Sequence, residues 1–219
     1  MHRYLWLCFL SLFALGMMVG CGPEKEETSS VDLPADSTEV AETEGAQPCA
    51  EPDRICPDGL SFVALGQYVA NVGPQELFEA GRIRDTLQSG NGYVWLTRIL
   101  QFDEGAILVE GDFIDDRELT QDKVDASQVN RIQVQTPAYS TAQGLRVGST
   151  FADLQAAFPD STLYLDPIPE YQAVAVQVQG LPLFFNFVEK TPELSAQADR
   201  SLSPEMMPAD LEISSIVVM

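Results

Sequence analysis

From Leu60 onward the hydropathy of this chain mostly repeats every two residues, the period of half-buried β-strands rather than of helices. The clearest case is 129–136, VNRIQVQT, in which Ile132 and Val134 point inward and Arg131, Gln133 and Gln135 outward. Tyr93–Phe102 is a longer run of the same kind. Asp103-Glu104-Gly105 then predicts a hairpin into 106–113, with Gly105 supplying a positive φ. Arg98 interrupts an otherwise apolar face made of Val94, Leu96, Leu100 and Phe102. A buried arginine needs a carboxylate partner, so Arg98 is read as structural, with reach into a cleft as the alternative. Residues 171–178 and 183–188 flank Gln179-Gly180-Leu181-Pro182 and predict a second hairpin. The segment 213–219 ends the chain on an apolar strand, and 62–69, apolar on both faces, suits a buried one.

Helix signals are few. Thr150 followed by Asp153 is a capping pattern, with apolar Phe151, Leu154 and Phe158 behind it and Pro159 as the stop. Residues 74–80 read as a second short helix. Seven or so strands with one or two short helices predict an α+β fold built mainly on antiparallel β-sheet. No internal repeat is evident in the sequence, so 49–219 is read as a single globular α+β domain.

The residues before position 49 have another character. Residues 4–19 are apolar apart from Ser11 and Gly16, and Met1-His2-Arg3 places a positive charge ahead of them. The run is short for a hydrocarbon core of ~30 Å, but it suits the apolar region of an export signal. Residues 22–48 carry no aromatic side chain and no hydropathy period. They are rich in Glu, Ser, Thr, Pro and Ala and read as a disordered acidic tether, holding the domain roughly 30 Å from its attachment point. Of the four cysteines, Cys8 lies in the apolar run and Cys21 directly follows Gly20. Cys49 and Cys56 are left as a disulfide pair for an oxidising compartment, with two free thiols or half of a shared metal site as alternatives. Closing so short a ring contributes about 2–2.5 kcal/mol in the chain-entropy account.

Met18-Val19-Gly20-Cys21 resembles the lipobox of bacterial lipoproteins, with Met18 where Leu is commoner. The resemblance implies that 1–20 is a signal peptide and that Cys21 is the lipidation site. Cys21 would carry a thioether diacylglyceryl group and usually an N-acyl chain, palmitate-type anchors that hold the chain to a membrane. Gly22 is consistent with delivery to the outer membrane, because in lipoproteins of the enteric type an Asp there favours the inner one. Lys25-Glu26-Glu27 is similar to the short export signal of some surface-exposed lipoproteins. Further on, the run from Ile132 through Thr136-Pro137, Tyr139, Thr141 and Gly144-Leu145 to Val147-Gly148-Ser149-Thr150, then Asp153-Leu154, resembles a module of uncharacterised envelope lipoproteins. Envelope-stress-regulated lipoproteins are among them. That likeness implies a fold and an envelope location but no activity. Taken physically, Gly144 permits a turn, Gly148 lets the backbone come close to the helix start, and Ser149 and Thr150 cap the helix. The alternative is that the free N–H groups of that helix start hold an anion.

Charge and residue types exclude several functions. With 12 basic against 33 acidic residues, and only Lys25, Lys123 and Lys190 as lysines, the chain lacks the basic clusters that nucleic acid requires. Its one histidine, His2, lies in the signal, which removes Ser-His-Asp and Cys-His catalysis and the usual histidine-containing zinc sites. Carboxylates remain. Asp112, Asp115, Asp116 and Glu118, with Asp122 and Asp125 beyond, form the densest acidic cluster of the domain and are a candidate cation site or, less readily, a hydrolase pair. A solvated polar loop is the preferred reading of them. Tyr93 and Trp95, after Gly90-Asn91-Gly92, are a candidate platform for a sugar or aromatic ligand, though Asn-Gly beside a strand is ordinarily a turn. The expectation is a lipid-anchored envelope lipoprotein, non-enzymatic and without cofactor, whose domain contacts other envelope proteins. The alternative is a small-ligand or divalent-cation binding module, on the periplasmic or the surface face.

Overall fold

A computed structural model of the chain describes residues 49–168, 172–189, 194–197 and 202–219. The signal, Cys21 and the tether lie outside the described residues, which all belong to one compact unit, Thr43–Met219. In chain order the elements are β1 (Arg54–Ile55), β2 (Gly59–Leu60), β3 (Val63–Ala64), α1 (Gln75–Glu79), β4 (Ile83–Gly90), β5 (Tyr93–Phe102), β6 (Gly105–Glu110) and β7 (Ile114–Asp115). There follow α2 (Gln121–Asp125), β8 (Arg131–Val134), β9 (Ser140–Thr141), α3 (Phe151–Ala157), β10 (Leu163–Ile168), β11 (Ala173–Val178), β12 (Leu183–Val188) and β13 (Ile213–Val218).

The α+β expectation holds. Nine strands form one antiparallel sheet in the order β10-β11-β12-β13-β8-β6-β5-β4, with β7 clipped onto the far end of β5. Twice the chain lays down a short helix followed by a four-stranded meander, α1 before β4-β5-β6-β8 and α3 before β10-β11-β12-β13. The last strands of the two meanders meet antiparallel at the centre, where Val217 stands opposite Gln133. The order of strands is therefore mirrored about that seam. This duplication of plan was invisible in the sequence.

One face of the sheet carries the core. Leu100, Ile107, Val109, Ile132 and Val134 from the first meander join Val176, Phe185, Phe187 and Ile216 from the second, all without solvent exposure. Leu77 of α1 and Phe151 and Leu154 of α3 close over them, with Phe151 edge-on to Phe187 at 5.6 Å between ring centres. Arg98 points to this same face and is the glue predicted for it. Its guanidinium forms a two-pronged pair with Asp85 on β4, both contacts 2.7 Å, and donates to the carbonyls of Ala70 and Val72.

Helices α1 and α3 were legible, with the capping box of Thr150 and Asp153 intact, whereas α2 was not expected. Three strand assignments need correction. Residues 62–69 are not a strand: Gly66, at φ +79°, turns the chain between β3 and a 3-10 turn at Val69–Asn71, and the apolar run is buried as a folded-back loop. β4 and β10, the two edge strands, were missed: β4 has no fully buried side chain, and in β10 the alternation that sets Leu163 and Leu165 against the core is cut short by Asp166-Pro167. Pro167 fits such an edge, where no ladder N–H is demanded of it. Asn91 and Gly92, at φ 52° and 79°, make the two-residue hairpin turn between β4 and β5. Cys49 and Cys56 are disulfide-bonded and tie the start of the described chain to the β2–β3 hairpin.

Candidate functional site

The second face of the sheet is shielded from water only in places. Thr97 on β5 is 2% exposed and Ser215 on β13 is 3% exposed, although both point away from the core. The sheet curls, so that this face is concave and holds a cavity of about 540 Å³. Gln88 on edge strand β4 and Ile168 on edge strand β10 both border it. Flat strands at about 4.8 Å spacing would hold those edges more than 30 Å apart, so the shared cavity requires the curl.

The floor is built by register. Thr97 lies opposite Glu110, and Glu110 opposite Arg131, forming one polar row across β5, β6 and β8. Arg131 and Glu110 are ion-paired at 3.2 Å, a cross-strand pair of opposite charge. Beside that row, Ser215 Oγ accepts from Gln133 Nε2 at 3.1 Å and from Asn186 Nδ2 at 3.0 Å, stitching β8, β13 and β12 together over the seam. Trp95 stands two residues before Thr97 on β5 and is braced edge-on by Phe113 at 5.1 Å.

Three polar atoms of this floor are buried yet unbonded: Trp95 Nε1, Thr97 Oγ1 and Arg131 Nε. The one other such atom among the described residues, Ser195 Oγ, does not line the cavity. None of these three atoms has surface open to the cavity, so they are unbonded within the packing of the sheet rather than toward a ligand. A second cavity, about 590 Å³, is lined by Glu189, Asp210 and Glu212 among others. Glu189 there accepts from the backbone N–H groups of Leu194 and Ser195, which makes it a loop anchor.

The acidic cluster is drawn into local structure. Asp112 accepts from the backbone N–H of Gln128, Glu118 pairs with Lys123, and Asp115 pairs with Arg117. The Arg117 side chain, helped by the Arg117 backbone N–H, holds the Asp115 carboxyl down at about 2. Asp116 lies exposed beside them. Among the described residues no group of three or more His, Cys, Asp and Glu side chains is placed to hold a metal ion. The start of α3 is likewise occupied. Its amides donate to Leu211 O, Ala209 O and the Thr150 side chain, and hydrogen bonds from the Thr150 backbone and side chain keep the Asp153 carboxyl below its usual range. Gly148 is required there by its φ of +90°, not by a close approach: a Cβ would meet nothing within 4 Å.

Sequence reasoning singled out Trp95 but missed Thr97, Glu110 and Arg131 as a set. It placed Arg131, Gln133 and Gln135 on the outward side of β8, where the curl turns "outward" into "cavity-facing". The available signal was the choice of uncharged amides at 133 and 135, where an open sheet face would carry Lys or Glu. Among the described residues no helix is long and apolar enough to cross a membrane. No protein-family profile matches the chain, and no curated protein sequence matches it. Among solved structures it is similar to the uncharacterized protein yfeY from Escherichia coli, with 20% identity over 70% of this chain and 94% of that one, at a TM-score of 0.41.

Proposed function

We propose that this chain is a lipid-anchored, non-catalytic envelope protein whose domain binds a small polar ligand on the concave face of its sheet. The observation that carries this reading is one cavity on that face lined by the amides of Gln88, Gln133, Gln135 and Asn186, the hydroxyl-bearing Ser214 and the ring of Trp95. A cavity of about 540 Å³ falls within the range of small-molecule sites. The anchor reading rests on Met18-Val19-Gly20-Cys21 and the acidic stretch behind it. Replacing Cys21 by Ala should then move the chain from the membrane fraction to the soluble one; an unchanged distribution would remove the anchor. For the binding reading, the full chain carrying Trp6→Phe retains Trp95 as its sole tryptophan. Its emission therefore reports on the cavity. A saturable change on addition of small envelope metabolites supports the reading, and a featureless titration with every compound tried counts against it.

Contact with other envelope proteins is the second reading, favoured by β4. This eight-residue edge strand is exposed along most of its length, and among the described residues it pairs on one side only, with β5. Crosslinking in cells should then capture a partner through β4 in the anchored protein and lose it in the Cys21→Ala form.

A further inference from the structure

We infer that the strand that pairs with β4 is β4 of a second copy of this chain, joined antiparallel about a two-fold axis through Leu87. The inference rests on the reading that β4 accepts a partner strand. The first argument is the difference between the two sheet edges. β10 carries Asp166 and Pro167, the kind of residues that keep an edge from pairing. β4 runs for eight residues without a proline or a lysine, and Leu87 in its second half is 50% exposed.

The second argument is register. Arg82 O accepts from Gln101 N at 2.9 Å, so Arg82 faces β5. By alternation Arg84, Thr86, Gln88 and Gly90 direct their backbone groups to β5, while Ile83, Asp85, Leu87 and Ser89 direct theirs to the other side. A two-fold axis through Leu87 therefore matches outward groups with outward groups. It sets Leu87 against Leu87, Thr86 against Gln88, Asp85 against Ser89 and Arg84 against Gly90. No two like charges stand opposite each other, and each hydroxyl meets an amide or a carboxylate that can bond it. The isologous contact closes on itself, as a two-fold pair requires.

The third argument comes from what each copy lends the other. Beside Leu87 lies a cavity of about 280 Å³, bordered also by Leu96 and Val124, which gives the second copy's Leu87 an apolar neighbourhood. On the opposite face Gly90 stands across from Tyr93, and Tyr93 across from Asp115. The Arg84 guanidinium has no ion-pair or hydrogen-bond partner among the described residues. Set against Gly90, which has no side chain to block it, the second copy's Arg84 reaches toward the Tyr93 ring, itself 48% exposed. One strand pairing of this length falls short of the ~1,200 Å² that stable interfaces bury, so the pair is weak and is best caught by crosslinking.

The test places Gln88→Cys in the full chain and treats cells expressing it with a short bismaleimide. The chain without the substitution is the control for its four native cysteines. About the Leu87 axis the two 88 positions are diagonal neighbours on one face, roughly 7–8 Å apart. The expected result is a dimer whose mass spectrum shows position 88 joined to position 88. Adding Leu87→Glu, or Leu87→Lys, sets like charges against each other on the axis and should lower the dimer yield several-fold. Co-expressing the Glu and Lys forms should restore it, which a folding defect in either form would not allow. A dimer indifferent to Leu87→Glu and Leu87→Lys, or one that co-expression does not restore, overturns the Leu87 pairing. Capture of a different protein at position 88, with no dimer, overturns the second copy and leaves the partner-strand reading standing. Nothing captured at position 88 overturns both.

Discussion

Replacing Asp85 by Ala strands the guanidinium of Arg98, which is 7% exposed and has no other carboxylate partner among its hydrogen bonds. Breaking a fully buried pair costs 3–5 kcal/mol, but Asp85 lies partly in solvent and water can take some of its place. The expected loss is roughly 2–3 kcal/mol in urea unfolding, with most of the stability returned when Arg98 is also replaced by Met. Asp115 offers a residue-scale test by titration. Its folded pKa of about 2 lies below the ordinary 3.8, chiefly because of the Arg117 side chain, so its favourable contribution is present above the unfolded pKa and is lost as pH falls through the folded one. Arg117→Ala should bring the Asp115 carboxyl carbon, followed by NMR, back toward the ordinary carboxylate range. Arg98 could be read from the sequence because an arginine in an apolar row has few ways to be satisfied. Thr97 could not, since a threonine on the outward side of a strand is unremarkable until the chain around it curls.

At the scale of elements, local chemistry was the most legible part. The cap at Thr150, the stop at Pro159 and the Asn91-Gly92 turn each act within a few residues, so spacing alone announces them. Thr150→Ala deletes the acceptor for the Asp153 amide and should cost about 1 kcal/mol by urea denaturation. The Gly105 turn shows where local reasoning stops. Its positive φ, +131°, was expected, but the deeper requirement is distant in sequence: a Cβ there would collide with the carbonyl of Gln135 on the chain that continues β8. Gly105→Ala therefore combines backbone strain with a clash and should cost about 2–4 kcal/mol, more than a turn glycine alone explains. Edge strand β4 escaped notice for a related reason: a period-two pattern is written only where one face is buried, and β4 is exposed along most of its length. In β10 the pattern is present but too short, Leu163 and Leu165 being followed at once by Asp166-Pro167.

For the molecule as a whole, the alternation at 129–136 told which side of the sheet meets the core and nothing about what the other side meets. Curl accumulates from twist and register over nine strands, and no short window of sequence contains it. The mirrored plan of two helix-plus-meander halves is equally non-local, because the halves share topology through strands whose side chains differ. Curl and duplication together put the Thr97–Glu110–Arg131 row at the floor of a cavity beside the central seam. Only at this scale do three unremarkable outward residues become a candidate site.

The most direct test of that site is a nitrogen-15 correlation spectrum of the full chain with Trp6→Phe, following the Trp95 indole N–H and the side-chain amides of Gln133 and Asn186, residues that line the cavity, during titration with small polar envelope metabolites. The account predicts that these resonances shift together and saturate with at least one compound. If they stay in place through every titration at millimolar concentrations, the concave face is a structural feature of the sheet and the binding reading is wrong.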